Sequence, residues 1–132
     1  MNSSSLRILL AEDDVLVAAD LEACLREAGH EVLAVEARGD STLTATRLLL
    51  PDVVVLNVRL RGPLDGMAVA LALQHSQPLP VPVVFVTALG DPAVLQRLQA
   101  TAPLAVLVKP LVGQQLCQAL HQAMSSTWGE AA

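Results

Sequence analysis

The chain has two cysteines in 132 residues, Cys24 and Cys117, far apart and without CxxC spacing. That pattern gives no disulfide framework and no zinc knuckle, and the two read as reduced thiols on helices. There is also no long apolar run. Although 53% of the residues are apolar and mean hydropathy is +0.52, the apolar stretches are short and broken by proline or charge. A membrane-crossing helix needs about 20 consecutive apolar residues. Met1 to Ser5 carry no basic segment followed by an apolar one. No signal peptide is read there, and a cytoplasmic location is expected. Basic residues are scarce as well: 8 Lys+Arg stand against 13 Asp+Glu, a formal charge of −5. A nucleic-acid-binding face would need a basic patch to meet phosphates, so none is expected.

What is present is an alternation. Short apolar runs, Arg7–Ala11, Glu31–Val35, Asp52–Asn57, Val83–Thr87 and Leu104–Val108, read as buried strands. Between them lie helical patterns: Val15–Ala28 stopped by Gly29, a segment capped by Asp40 or Ser41 and running to about Leu49, and one opened by Asp65 or Gly66 and reaching about Gln74. Two more run from Asp91-Pro92 to about Thr101 and from Val112 to Met124. Strand–helix alternation repeated five times predicts an α/β fold, (βα)5. It is a doubly wound parallel five-stranded sheet of order 2-1-3-4-5, flavodoxin-like. One domain over 6–124 is expected, with a disordered N-terminus over 1–5 and a fraying tail over 125–132.

In such sheets, functional groups gather outside the carboxyl ends of the strands, where strands 1 and 3 diverge. That rule selects Glu12, Asp13 and Asp14 after strand 1, Asn57 ending strand 3, Thr87 and Ala88 after strand 4, and Lys109-Pro110 after strand 5. Each has a plainer reading: an acid after a strand can cap the next helix, a lone lysine sits on the surface, and a threonine simply ends a strand. Clustered carboxylates repel one another unless a cation lies between them, and oxygen ligands suit Mg²⁺. His30, His75 and His121 have no ligand spacing and read as surface or helix-end residues.

The blocks LLAEDD, PDVVVLNVRLRGPLDG, VPVVFVTALGD and VLVKP resemble those of two-component response-regulator receiver domains, the CheY-like family. The likeness spans Leu6 to Met124. RLRGPLDG and TALGDPAVLQRLQATAPLAVLVKP resemble a subgroup found as single-domain regulators or joined to sensor kinases. The resemblance implies that Glu12 and Asp13 bind Mg²⁺ together with the backbone carbonyl of Arg59. Asn57 then fills the phosphoacceptor position and contributes to the metal site. Thr87 is the switch hydroxyl, Lys109 contacts phosphoryl oxygens, and Pro110 holds the turn through a cis bond. The partner implied is a histidine kinase or another signalling protein.

Two departures stand out. An amide is not the carboxylate nucleophile that forms an acyl phosphate, and it removes a negative charge from the metal site, so Mg²⁺ binding is expected to be weakened. Asp52 offers no substitute, because it begins its strand and lies at the other end. Three residues before the lysine, Val106 replaces the family's usual aromatic. Together these read as a pseudo-receiver, not an enzyme, working through protein–protein interaction. The alternatives are a conventional phospho-accepting receiver captured as an Asp-to-Asn variant, and a phosphatase or flavin-binding domain on the same fold. From Gly66 to Gly129 the charged residues are Asp91, Arg97 and Lys109 alone. The third, fourth and fifth helices are therefore expected to present a weakly polar binding surface, and the resemblance implies that a homodimer or partner interface lies on the fourth helix, fifth strand and fifth helix, through Val94, Leu95, Leu98, Val106, Leu116 and Leu120.

Overall fold

The computed structural model describes residues 5–76, 79–88, 90–110 and 113–131, with side chains as far as residue 123. Its elements are β1 (Arg7–Ala11), α1 (Val15–Glu27), β2 (Glu31–Glu36), α2 (Gly39–Leu49), β3 (Val53–Leu56), α3 (Gly66–Gln74), β4 (Val83–Thr87), α4 (Pro92–Gln99), β5 (Ala105–Val108) and α5 (Gly113–Ala131). The strands form one sheet of order β2-β1-β3-β4-β5. Every neighbouring pair is parallel. The expected fold class and strand order are both found.

The sheet is covered on both faces because its strands carry apolar side chains in both directions. Ile8 and Leu10 of β1, Val53 and Val55 of β3, and Val84 and Val86 of β4 pack with Leu21 and Leu25 of α1 and Leu116 and Leu120 of α5. The alternate residues Leu9, Val54, Leu56 and Phe85 pack with Ala45 of α2, Val69 and Leu73 of α3, and Leu98 of α4. A strand's period of two sends neighbours to opposite faces, so a continuous apolar run is what a two-faced sheet requires.

Helix boundaries follow local chemistry. Asp14 caps α1, its Oδ1 accepting from the amides of Leu16 at 3.0 Å and Val17 at 3.1 Å. Asp65 Oδ1 accepts from Ala68 N at 2.8 Å, and Asp91 Oδ1 from Ala93 N at 2.8 Å with Pro92 at the first helical position. The expected cap of α2 by Asp40 or Ser41 is corrected. Its N-cap is Arg38 in extended conformation, and Asp40 lies inside the first turn, bonded to the Arg38 guanidinium. α4 ends at Gln99, two residues before the expected Thr101. α5 is helical to Ala131, past the expected stop at Met124, since no proline interrupts Ser125–Trp128. The expected disorder of the N-terminus falls largely on residues 1–4, outside the described residues.

The interface expectation is corrected at three positions. Leu98, Leu116 and Leu120 are fully buried, because they are the helix residues that face the sheet. Val94, Leu95 and Val106 are half-buried against the cluster around Phe85. The most exposed large apolar residues lie elsewhere, at Leu16, Leu48, Leu79, Val15 and Leu50. No helix among the described residues is long and apolar enough to cross a membrane.

One histidine is structural. His30 Nδ1 accepts from the Leu6 amide at 3.1 Å, so it must be neutral there, and burial holds the imidazole below its ordinary range. The unfolded chain takes up that proton more readily than the folded one. The stability this group confers is therefore complete above the ordinary imidazole value of about 6.5 and is lost as pH falls through the lower folded value. Urea titrations across that window should show stability falling more steeply in the natural chain than in His30→Gln. Parallel slopes would contradict this role for His30.

Candidate functional site

Four strand ends and one helix start build the site. The chain leaves β1 into Glu12 and Asp13 and leaves β3 into Asn57. Thr87 ends β4, and Lys109 follows β5. Backbone bonds fix their relative heights: Asn57 N donates to Ala11 O at 2.9 Å, and Lys109 N to Thr87 O at 2.7 Å. The Lys109–Pro110 peptide is cis. Behind Asn57, α3 begins against the strand end. A Cβ on Gly66 would collide with the Asn57 carbonyl oxygen, so only glycine permits the approach. Glu12, Asp13, Asp14, Asn57, Arg59, Thr87, Ala88 and Lys109 together line a cavity of about 230 Å³. Every position that the strand-end rule selected lines it except Pro110, which is the next residue along the chain.

Glu12 is the buried anion of the set, 3% exposed. Its Oε1 accepts from Lys109 Nζ at 2.7 Å. Its Oε2 accepts from Asp14 N at 3.1 Å and from Asn57 Nδ2 at 3.2 Å. Burial pushes the carboxyl above its ordinary value, while the Lys109 hydrogen bond, the Asp14 amide and the ammonium charge pull it back down. A carboxylate this deep persists because both oxygens are bonded and a cation sits on one of them.

Asn57 is itself buried, at 7% exposure. Its Nδ2 donates to Glu12 Oε2, to Asp13 Oδ1 at 3.1 Å and to the Arg59 carbonyl at 2.9 Å. All three neighbours are acceptors, which fixes the orientation of the amide: its nitrogen faces them. The same three oxygens are of the type a Mg²⁺ takes, at about 2.0–2.1 Å. In this structure Asn57 Nδ2 holds the point on which they converge. A cation fits between Glu12, Asp13 and the Arg59 carbonyl only with the amide turned to present its oxygen, and it would supply charge neutralisation among those acids. Among the described residues, no group of three or more His, Cys, Asp and Glu is arranged to hold a metal.

The remaining expectations sort cleanly. Asp14 takes the plainer reading, since its carboxylate caps α1. Asp52 lies at the opposite end of the sheet, where Oδ2 accepts from Arg7 N at 2.8 Å. Thr87 is buried and lines the cavity. Sequence reasoning missed a larger apolar cleft of about 610 Å³ alongside, lined by Leu16, Val17, Leu21, Val86 and Pro110 and sharing Ala88 and Lys109 with the site. The signal was the run Val15-Leu16-Val17, which carries apolar residues beyond the one stripe that a surface helix buries.

The comparisons with known proteins agree with this geometry. The family model described as the response regulator receiver domain matches residues 8–121. The transcriptional regulatory protein PdtaR of Mycobacterium tuberculosis is 30% identical over 119 residues, covering 90% of this chain and 57% of that protein. The positive alginate biosynthesis regulatory protein of Pseudomonas aeruginosa is 34% identical over 120 residues, covering 89% of this chain and 47% of that protein. The chain thus spans about half the length of these relatives. Among solved structures, the signal receiver domain of a modulated diguanylate cyclase from Desulfovibrio desulfuricans superposes with a TM-score of 0.84 at 29% identity, covering 96% of this chain and 98% of that one. The N-terminal domain of a response regulator/sensory box/GGDEF protein from Carboxydothermus hydrogenoformans gives 0.80 at 25% identity, covering 96% and 99%. With the sheet order, the strand-end acids and the Lys109–Glu12 pair already in place, the chain belongs to the response-regulator receiver family of two-component signalling.

Proposed function

We propose that this receiver domain is not phosphorylated at Asn57 and signals by binding partner proteins. The observation that carries the reading is the amide of Asn57, which donates to Glu12, Asp13 and the Arg59 carbonyl at once. An acyl phosphate needs a carboxylate nucleophile; a carboxamide nitrogen has its lone pair delocalised and is already engaged as a donor. Mg²⁺ binding is weakened on the same ground, because the amide competes for the cation's oxygens. The domain is read as a non-catalytic module, cytoplasmic, with no nucleic-acid or membrane contact. Glu12, which would stand at a phosphatase's nucleophile position, has both oxygens committed.

The partners proposed are a histidine kinase or another signalling protein, and a second copy of the chain across α4, β5 and α5. With Leu98, Leu116 and Leu120 in the core, that face is carried by Val94, Leu95 and Val106. Val106, on β5 beside Phe85, also stands where an aromatic reporter would be. Its short side chain cannot follow a moving Thr87. The second reading, an Asp-to-Asn variant of a conventional receiver, is favoured by the intact Glu12, Asp13, Thr87 and Lys109.

Two measurements address the reading. With acetyl phosphate and Mg²⁺, intact-mass analysis should find no acid-stable or labile phosphate adduct on the chain that carries Asn57. A phosphoryl group on the unaltered protein would overturn the proposal. If the second reading holds, Asn57→Asp takes up phosphate under the same conditions; its failure to do so removes that reading. Stability should separate the two chains as well. Asn57→Asp places a third carboxylate within about 3 Å of Glu12 and Asp13, a like-charge contact. Without Mg²⁺ it should unfold at lower urea than the natural chain, by about 1–3 kcal/mol, and recover when Mg²⁺ is added. The Asn57 chain should respond little to the ion, and a strong Mg²⁺ response from it would contradict the account.

A further inference from the structure

Cys24 and Cys117 lie 93 positions apart in the chain, yet the fold brings them together where α1 packs on α5. Cys117 Sγ donates to the Cys24 carbonyl at 3.7 Å. Cys24 itself lies directly against the start of α5, since a Cβ on Gly113 would collide with both its Cβ and its Sγ. Gly113 and Cys117 are one turn apart and share a helix face. Helical side chains lean toward the N-terminus, so the Cys117 side chain is directed over the turn that Cys24 touches. The absent side chain at Gly113 is what lets the two helices approach closely enough for this. Both cysteines are free thiols and half-buried, so a small oxidant can reach them. Burial raises the Cys117 thiol above its ordinary value, and the neighbouring Cys24 raises it further, as expected for two thiols that sense each other.

We propose that Cys24 and Cys117 form a reversible intramolecular disulfide when they meet a low-molecular-weight disulfide oxidant, clasping α1 to the first turns of α5. The step balances as ordinary thiol–disulfide exchange. One cysteine thiolate attacks a sulfur of the oxidant, breaking its S–S bond and releasing one thiol. The second cysteine then displaces the other half as a second thiol. The two cysteines lose two electrons and two protons, and the oxidant is reduced to two thiols. The clasp fastens the start of α5, the segment that follows the Lys109–Pro110 turn, and so gives the domain an input that does not pass through Asn57. It stands whether or not Asn57 accepts phosphate.

The test uses the full chain, fully reduced and then equilibrated with graded ratios of oxidised to reduced glutathione. Samples are acid-quenched, alkylated and weighed intact. The expected product is a monomer lighter by two hydrogens, without an alkylatable thiol, restored by dithiothreitol. Cys24→Ser and Cys117→Ser should each end instead as a single glutathione adduct. In urea the natural chain should need a more oxidising ratio to form the same bridge, because the fold no longer holds the thiols together. A doubly glutathionylated monomer, a covalent dimer in place of the bridge, two alkylatable thiols at every ratio, or the same midpoint folded and unfolded would each overturn the proposal.

Discussion

The hydrogen bonds from the Asn57 amide to three oxygens are the constraint around which this site is arranged. Glu12, Asp13 and the Arg59 carbonyl come from two different strand ends, and each presents negative potential to the others. Left alone, such a group separates, protonates or recruits a cation. Here one face of the cluster is met by the Asn57 amide hydrogens and the other by the Lys109 ammonium on Glu12. The cluster is thereby satisfied within the chain. Among the described residues no buried side-chain nitrogen or oxygen lacks a hydrogen-bond partner.

That arrangement accounts for how a receiver scaffold can hold buried acids, a threonine and a lysine around an amide at the end of β3. The acids still cap, bridge and fill the end of the sheet. Asp14 holds the start of α1, and Glu12 joins β1 to the turn after β5 through Lys109. Asn57 joins β1 to β3 and the loop beyond it. Removing any one of them would expose the others to unbalanced charge or an unmet donor, which is a structural reason for their presence independent of phosphoryl chemistry.

Much of this was legible in the residues. The strands announced themselves because a parallel sheet covered on both faces demands uninterrupted apolar runs such as Val53–Leu56 and Val83–Val86. Asp14, Asp65 and Asp91 marked helix starts because their short carboxylates reach backbone amides. The strand-end rule assembled Glu12, Asn57, Thr87 and Lys109 without reference to contacts. What stayed hidden depends on tertiary placement. The face each leucine of an apolar helix turns inward cannot be read where polar markers are few, so Leu98, Leu116 and Leu120 were assigned to a surface they do not reach. Asp40 looked like a cap, but the backbone entered the helix earlier, at Arg38. The proximity of Cys24 and Cys117 depends on the α1–α5 packing and on Gly113, neither of which leaves a spacing signature.

The proposal turns on the Asn57 side-chain nitrogen that meets the three oxygens. The most direct measurement is the side-chain amide NMR signal of Asn57, assigned by its loss in Asn57→Ala and followed through a Mg²⁺ titration. The account predicts two slowly exchanging protons, shifted by hydrogen bonding to carboxylate and carbonyl oxygens and unmoved at Mg²⁺ concentrations that saturate Asn57→Asp. Fast-exchanging protons in the free chain, or a signal that shifts in step with the ion over that range, would contradict it.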